Sequence, residues 1–151
     1  KSTVKVMSKF DIPFELKVLS AHRSPDETHK FAENARERGI KVIIAGAGGA
    51  AHLAGVIASK TSLPIIGVPM PTDRGGGMDS LFSTIQMPRG VPVATMGIGN
   101  SGAQNAGLLA IQILALSNEN IQGQLDKFRE EMPKGVEESN QKVNEWLTKN
   151  L

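Results

Sequence analysis

Cysteine is absent from this chain of 151 residues, and charge of neither sign dominates it. Without cysteine, disulfides, thiolate nucleophiles and thiolate metal sites are excluded, and a reducing interior is allowed. The location that we expect is the cytoplasm. No apolar run approaches the roughly 20 residues that a membrane helix needs. The net charge of +2 is spread along the chain, so it gives no electrostatic footprint for nucleic acid. We therefore expect no membrane and no nucleic acid among the partners.

Apolar residues make up 40% of the chain, which is enough for one compact core. We therefore interpret residues 1–151 as a single domain. Short, nearly continuous apolar runs alternate with segments of helical periodicity. The runs predict strands at 14–20, 41–46, 63–68 and 91–96, and the intervening segments predict helices at 24–39, 50–60 and 103–116. Strands of this kind are typical of parallel sheets covered on both faces. The fold class predicted is α/β, a three-layer α/β/α sandwich around a parallel sheet.

Charge is scarce in the middle of the chain and dense at its end. Residues 40–116 contain few charged side chains, which are Lys41, Lys60, Asp73, Arg74, Asp79 and Arg89. A surface so poor in charge favours a homo-oligomer that buries helices between subunits. Residues 118–151 predict a C-terminal helical extension of two amphipathic helices broken at Pro133. The second carries Trp146 and docks on a partner or packs back on the sheet, alternatives that periodicity leaves open.

The segment from Ser20 to Pro25 joins a predicted strand to a predicted helix. It places the imidazole of His22 beside the guanidinium of Arg23, next to a helix start at Ser24. Histidine changes charge near neutral pH, and a guanidinium at a helix N-terminus suits a phosphate. A histidine that only bonds a loop carbonyl and an arginine in a surface ion pair are the plainer interpretations. We favour a functional site, because open α/β sheets bind ligands at the carboxyl ends of their strands.

A second loop of small residues follows the next strand. Its candidate site residues are Gly46, Gly48, Gly49, Ala50, Ala51, His52 and Leu53. The string resembles a dinucleotide fingerprint, but the acidic residue expected about 20 positions later is missing. Small residues here allow a ring or a ribose to approach the backbone, although a tight crossover would use them too. We expect His52 to play a supporting or structural role, and the spacing of the histidines predicts no metal site.

Two further loops are rich in glycine and proline. The first, 69–78, follows a predicted strand, and the second contains Gln86, Met87 and Pro88. Such loops are either flexible connections or covers over a pocket.

Taken together, these motifs closely resemble the PurE family, the N5-carboxyaminoimidazole ribonucleotide mutases of bacterial purine synthesis. The matching segments are 20–26, 43–53, 67–69, 79–81, 86–88 and 105–110. The resemblance implies a flavodoxin-like sandwich, an octamer with sites between subunits, and movement of a carboxylate from N5 to C4 of an aminoimidazole ribonucleotide. The substrate is thus a small nucleotide, and no ATP, metal or other cofactor is implied.

The resemblance also implies roles for individual residues. His22 would be the general acid and base, Arg23 would contact the substrate phosphate, and Ser20 and Ala21 would line the substrate beside them. The loop from Gly46 to Leu53 would line the ring and carboxylate, and Gln86, Met87 and Pro88 would come from a neighbouring subunit.

One family feature has no match in this sequence, a Gly-Ser-x-Ser-Asp loop that follows a first strand. We expect these elements to precede Lys1 in the whole protein, and a chain that lacked them to be a poor enzyme. The related carboxylases that use free carbon dioxide resemble the chain less, since they typically carry lysine after the histidine. A non-catalytic nucleotide-binding module and a structural oligomer remain the alternatives from other functional classes.

Overall fold

The computed structural model describes all residues from Lys1 to Leu151. Helices and strands alternate through most of the chain, in the order α1 (Ser2–Lys9), α2 (Pro25–Glu33), β1 (Ile43–Gly48), α3 (Leu53–Ala58), β2 (Ile65–Met70), α4 (Met78–Ile85), β3 (Ala94–Thr95), α5 (Gly99–Ala115) and α6 (Glu119–Asn150). The chain forms two compact units, Lys1–Leu114 and Ala115–Leu151. The interpretation of 1–151 as one domain remains a prediction. No helix is long and apolar enough to cross a membrane.

The sheet of the first unit has three parallel strands in the order β1-β2-β3. The central strand β2 is buried along almost its whole length, since Ile65 and Ile66, which point to opposite faces, are 4% and 0% exposed. A strand buried on both faces needs layers on both sides. The α/β class and the parallel sheet predicted from the apolar runs are therefore confirmed.

One face of the sheet carries α3 and α4 close to the backbone of β2. A Cβ atom added at Gly67 would lie 2.6 Å from Cγ2 of Thr84 and 3.4 Å from Cβ of Ala54. Only a residue without a side chain leaves this space, and α4 can therefore approach the sheet. The core cluster beside it contains Ala32, Ala35, Ile43, Ala45, Ala54, Ile57, Leu63 and Ile65.

The strand predicted at 14–20 is not formed. These residues pair with no strand, and Leu16 and Val18 are 76% and 99% exposed. The segment instead lies beside α2 and the turns that follow it: Nζ of Lys17 is 6.0 Å from the ring centroid of Phe31, and Glu15 accepts a hydrogen bond from Arg38 at 3.2 Å. Alternating apolar residues indicate which side chains share a face, but a strand also needs a neighbour that accepts and donates its backbone hydrogen bonds.

The predicted helices at 24–39, 50–60 and 103–116 are present as α2, α3 and α5, with α2 and α3 shorter than predicted. After Glu33 the chain continues in turns to Gly39, which has a φ of 85°. Helix α4 was not predicted, and the strand at 91–96 is reduced to the two residues of β3.

In the second unit, the prediction of two helices broken at Pro133 is wrong. Residues 119–150 form a single helix, α6, with Pro133 inside it, and Asn118 caps its first turn by accepting hydrogen bonds from two backbone N–H groups. A proline removes one hydrogen bond of the ladder, whereas the Glu, Lys, Arg and Gln residues around it favour helix. Every residue from 129 to 151 is exposed, including Trp146 at 61%.

Candidate active site

Two histidines from different loops meet beside the carboxyl end of β1. Nε2 of His22 lies 3.0 Å from Nδ1 of His52, and the ring centroids are 5.0 Å apart with the ring planes at 85°. One ring donates the shared hydrogen and the other accepts it, so the proton position on one imidazole fixes the tautomer of the other. Both side chains are exposed, so a ligand can reach the pair.

The loop of His22 is closed by its own serines. The backbone N–H of Ser24 donates to the carbonyl of Ser20 at 2.9 Å, and the Ser24 hydroxyl accepts from the N–H of Ser20 at 3.0 Å. Ser24 stands at the N-cap of α2 as predicted, but its hydroxyl bonds backward to Ser20 and not to the helix. The turn formed by Ala21, His22 and Arg23 is thus held by hydrogen bonds that span four residues.

Arg23 is oriented by the same serine. The Ser20 hydroxyl accepts from the backbone N–H of Arg23 at 3.2 Å and from its Nε at 3.4 Å. Arg38 pairs with Glu15 and Lys60 pairs with Glu33, whereas the guanidinium of Arg23 forms no ion pair with a carboxylate. An exposed guanidinium without an acidic partner remains available to an anion.

The second loop begins where β1 ends and enters α3 at His52. Gly49 has a φ of 71°, which L-residues with side chains rarely adopt. The N–H of Ala51 then donates to the carbonyl of Gly49 at 2.8 Å, and the N–H of His52 donates to the carbonyl of Ala50 at 2.9 Å. These two tight turns place His52 at the N-cap of α3. The direction of its ring therefore depends on the backbone of these four residues.

Hydroxyl groups of α4 hold this loop. Ser80 accepts from the N–H of Gly49 at 2.9 Å and donates to the carbonyl of Met70 at 2.7 Å. Ser83 accepts from the N–H of Ala51 at 2.9 Å. The loop is thereby attached both to α4 and to the end of β2.

Helix α4 buries polar side chains and exposes apolar ones, the reverse of a typical surface helix. Its polar Ser80 and Thr84 are 0% and 3% exposed, whereas Met78, Phe82 and Ile85 are 47%, 58% and 50% exposed. Sequence reasoning missed this helix and gave its serines no role, although residues 79–81 were among the segments that matched the family. A sequence signal for the helix exists, because the hydroxyl residues 80, 83 and 84 have the spacing of one helical face. It was overlooked because apolar residues, and not hydroxyl residues, are expected on the buried face of a helix.

The remaining predicted residues divide between the site and the core. An open cleft of about 460 Å³ is lined by His52, Gly55, Val56, Ser59, Phe82, Ser83, Gln86 and Met87. A Cβ atom at Gly55 would meet Sδ of Met87 at 3.0 Å, so Met87 packs on α3 of its own chain. Pro88 is exposed beyond the cleft, and Leu53 packs on the core.

The two glycines of β1 named as site residues lie against the end of β2. A Cβ atom at Gly46 would be 3.8 Å from Cγ of Met70, and one at Gly48 would be 3.3 Å from Cγ2 of Thr72. Both glycines are exposed, so the edge of the sheet offers backbone to a ligand here.

The loop between β2 and α4 contains one carboxylate with a shifted pKa. The Thr72 hydroxyl lies 3.0 and 2.9 Å from the two carboxylate oxygens of Asp79, and this hydrogen bond is the main reason that the pKa of Asp79 is lowered from 3.8. The Thr72 hydroxyl also accepts from the N–H of Gly75 at 3.2 Å. The charged form of Asp79 thus fixes the loop at the start of α4.

With this geometry described, similarity to known proteins identifies the family. A family model described as AIR carboxylase matches residues 1–135. The N5-carboxyaminoimidazole ribonucleotide mutase of Bacillus subtilis is 54% identical over 143 residues, 95% of this chain and 88% of the relative. That of Aquifex aeolicus is 56% identical over 126 residues, 83% of this chain and 74% of the relative.

Solved structures agree on the fold. PurE of Treponema denticola has a TM-score of 0.80 and 23% identity, and the match covers 94% of this chain and 87% of that chain. This likeness confirms the flavodoxin-like α/β sandwich that the sequence motifs implied. Because the family model covers most of the chain and the curated relatives match at above 50% identity, the chain belongs to the AIR carboxylase family.

Proposed function

We propose that the protein is an N5-carboxyaminoimidazole ribonucleotide mutase in which His22 is the general acid and base. The observation that carries the proposal is the contact of 3.0 Å between His22 and His52 at the carboxyl edge of a parallel sheet. Support also comes from relatives of that name at above 50% identity. The substrate is a nucleotide with one phosphate, and the reaction needs no cofactor.

The reaction moves a carboxylate within one molecule. The bond between N5 and the carboxyl carbon breaks, carbon dioxide is released, and N5 keeps the electron pair and takes a proton. C4 then attacks the carbon dioxide, and the proton on C4 leaves. One group that first gives a proton and later takes one can serve both steps. An imidazole is suited to this, and His52 stabilises the charged ring of His22 by accepting its N–H.

The residues around the pair support the other tasks. Arg23 lacks an acidic partner and binds the substrate phosphate as a bidentate fork. The small residues Gly46, Gly48, Gly49, Ala50 and Ala51 form a wall with little bulk, which leaves room for the ring and for carbon dioxide. Ser20, Ala21, Leu53, Gln86, Met87 and Pro88 complete the proposed binding site.

Substitution of His22 by asparagine tests the role of this residue. The amide fills similar space but does not titrate, so we expect turnover to fall about 10²- to 10⁴-fold while the dissociation constant of the substrate changes little. His29 of α2, which takes no part in the pair, supplies the matched control, and His29→Asn should keep full turnover. Near wild-type turnover of His22→Asn would refute the assignment.

The family description leaves open a second activity, carboxylation by free carbon dioxide. A substrate labelled with ¹³C in its carboxyl group distinguishes the two in buffer that contains unlabelled bicarbonate. A mutase passes the label to the product, because the carbon dioxide does not leave the site. Product that carries only unlabelled carboxylate would establish the carboxylase instead.

The proposal includes a cytoplasmic location and a homo-octamer, the assembly that the resemblance implies. The outer face of α4 supports the assembly, because Met78, Phe82 and Ile85 form an apolar surface that is about half exposed. Phe82 also lines the cleft of His52, so a second copy seated on this face would border the site.

Light scattering after size exclusion tests the assembly. We expect wild-type protein and Phe82→Leu to have the mass of an octamer. Phe82→Glu places a charge on the apolar face and should lower both mass and turnover. A wild-type monomer, or an octamer that is unaffected by Phe82→Glu, would remove α4 from the interface.

A further inference from the structure

We propose that Ser80 and Ser83 of α4 are positioning residues, which act on the reaction by holding the loop that carries His52. The inference rests on the proposed function, in which His22 and His52 form the acid–base pair. The sequence analysis named neither serine as a site residue, and neither forms a hydrogen bond with His22. Their hydroxyls act on the backbone between Gly49 and Ala51, the segment that leads into His52.

The hydrogen bonds of these serines are directed to the loop and not to their own helix alone. Ser80 and Ser83 are one helical turn apart and accept the N–H groups of Gly49 and Ala51, both at 2.9 Å. The Ser83 hydroxyl also lies 3.0 Å from the carbonyl oxygen of Gly49 and 2.7 Å from that of Asp79, and both oxygens are acceptors for its hydrogen. Two N–H groups separated by one residue are therefore fixed by one rigid helix.

Burial strengthens the argument. Ser80 is fully buried, and it joins the loop to the end of β2 through the carbonyl of Met70. Thr84, also buried, lies 3.4 Å from the carbonyl of Ala51. A helix that turns its hydroxyls inward and exposes Met78 and Phe82 gives up apolar burial. The gain is a loop in which the N–H groups of Gly49 and Ala51 have partners at fixed positions.

The consequence for chemistry follows from the short distance within the pair. His52 is the N-cap of α3, so a rotation of the preceding loop moves its Nδ1 directly relative to Nε2 of His22. Hydrogen bonds weaken steeply as their distance and angle depart from the optimum. Loss of a serine hydroxyl should therefore lower turnover, with little effect on phosphate binding by Arg23.

The test compares Ser80→Ala and Ser83→Ala with the control Ser62→Ala. Ser62 also accepts an N–H at 2.9 Å, from Arg36, but it lies before the opposite end of β2. We expect each of the first two variants to lower kcat about tenfold or more, since a displacement of about 1 Å can cost 10²-fold. KM should stay within about twofold, and Ser62→Ala should change neither constant.

A spectroscopic readout separates positioning from stability. The chain has three histidines, so ¹³C labelling at Cε1 gives three signals. In Ser80→Ala and Ser83→Ala the pH titrations of His22 and His52 should both shift, while that of His29 stays in place. If Ser83→Ala does not fold, Ser83→Cys keeps the volume with a much weaker hydrogen-bonding group, and the same shift is expected.

A double-mutant cycle completes the test. If Ser83 acts through His52, Ser83→Ala should lower kcat in wild-type protein but add little in the background of His52→Asn. Additive losses, or unchanged titrations of His22 and His52 in folded serine variants, would overturn the proposal. The proposed function is tested separately. Full turnover of His22→Asn would refute the acid–base role of His22, whatever the serine variants do to the histidine titrations.

Discussion

The loops that present the two imidazoles are held in opposite ways. The loop of His22 is closed by Ser20 and Ser24, over a separation of only four residues. The loop of His52 is held by Ser80 and Ser83, whose partners are 31 and 32 residues away in sequence. The first loop keeps its geometry through local hydrogen bonds. The second depends on how α4 packs against the sheet, so packing changes should affect the two loops unequally.

Of the substitutions that should disturb the His52 loop but not the His22 loop, we expect Gly67→Ala in β2 to have the largest effect. The new Cβ would lie 2.6 Å from Cγ2 of Thr84 and 2.9 Å from Cγ1 of Val93, so α4 or the strand must move. Overpacking of this kind costs about 1–3 kcal/mol of unfolding free energy. Because α4 carries the serines, turnover should fall together with stability.

Chemical denaturation measures the unfolding free energy of Gly67→Ala, and steady-state kinetics measure its turnover. Gly97→Ala is the matched control, because a Cβ atom there meets nothing within 4 Å, and its stability should stay within about 0.5 kcal/mol of wild type. An unchanged ¹³C titration of His52 in Gly67→Ala would contradict the dependence of the second loop on α4.

The same contrast explains what the sequence could predict. The apolar runs that became β1 and β2, and the motif around His22, are local patterns and predicted the strands and the first loop. The sequence predicts that His22 and His52 lie near each other, because it places both in strand-to-helix loops at one sheet edge. The contact forms although residues 14–20 pair with no strand, and its geometry could not be derived from spacing. That α4 buries Ser80 and exposes Phe82 depends on partners distant in sequence.

Two errors of the sequence prediction have different origins. Residues 14–20 alternate as a strand does, yet strand pairing is a relation with another segment, and none pairs with them here. Pro133 is a helix breaker by local rule, yet the favourable residues on both sides continue α6 through it. The first error therefore arises from the lack of a partner strand, and the second from the helix-forming neighbours of Pro133, since every residue from 129 to 151 is exposed.

An intermediate effect is expected from Arg23→Lys in the first loop. A lysine keeps the charge but replaces a planar fork with a single ammonium group. We expect KM to rise about tenfold, equivalent to about 1.4 kcal/mol, and kcat to fall less. The pH titration of His52 should not move, because the second loop is held elsewhere. If KM and substrate affinity stay at wild-type values, Arg23 is not the phosphate ligand.

We expect the smallest effect from Thr72→Val, which removes the hydrogen bond that the Thr72 hydroxyl donates to Asp79 at the start of α4. Because this hydrogen bond favours the carboxylate, the pKa of Asp79 is lower in the folded chain than its ordinary value of 3.8. The stabilisation is therefore present at pH values above 3.8 and is lost as the pH falls through the folded pKa of Asp79. Thr72→Val should melt at a lower temperature than wild type at pH 7, and the difference should shrink in acid.

Thermal melting at a series of pH values, with Thr72→Ser as the control that keeps the hydroxyl, measures this difference. The methyl group of Thr72 lies 3.3 Å from where a Cβ atom of Gly48 would stand, and valine keeps a methyl group there, so the turnover of Thr72→Val should change little. A melting difference between Thr72→Val and wild type that stays constant from pH 7 into acid would mean that packing by Thr72, and not the charge of Asp79, secures the start of α4.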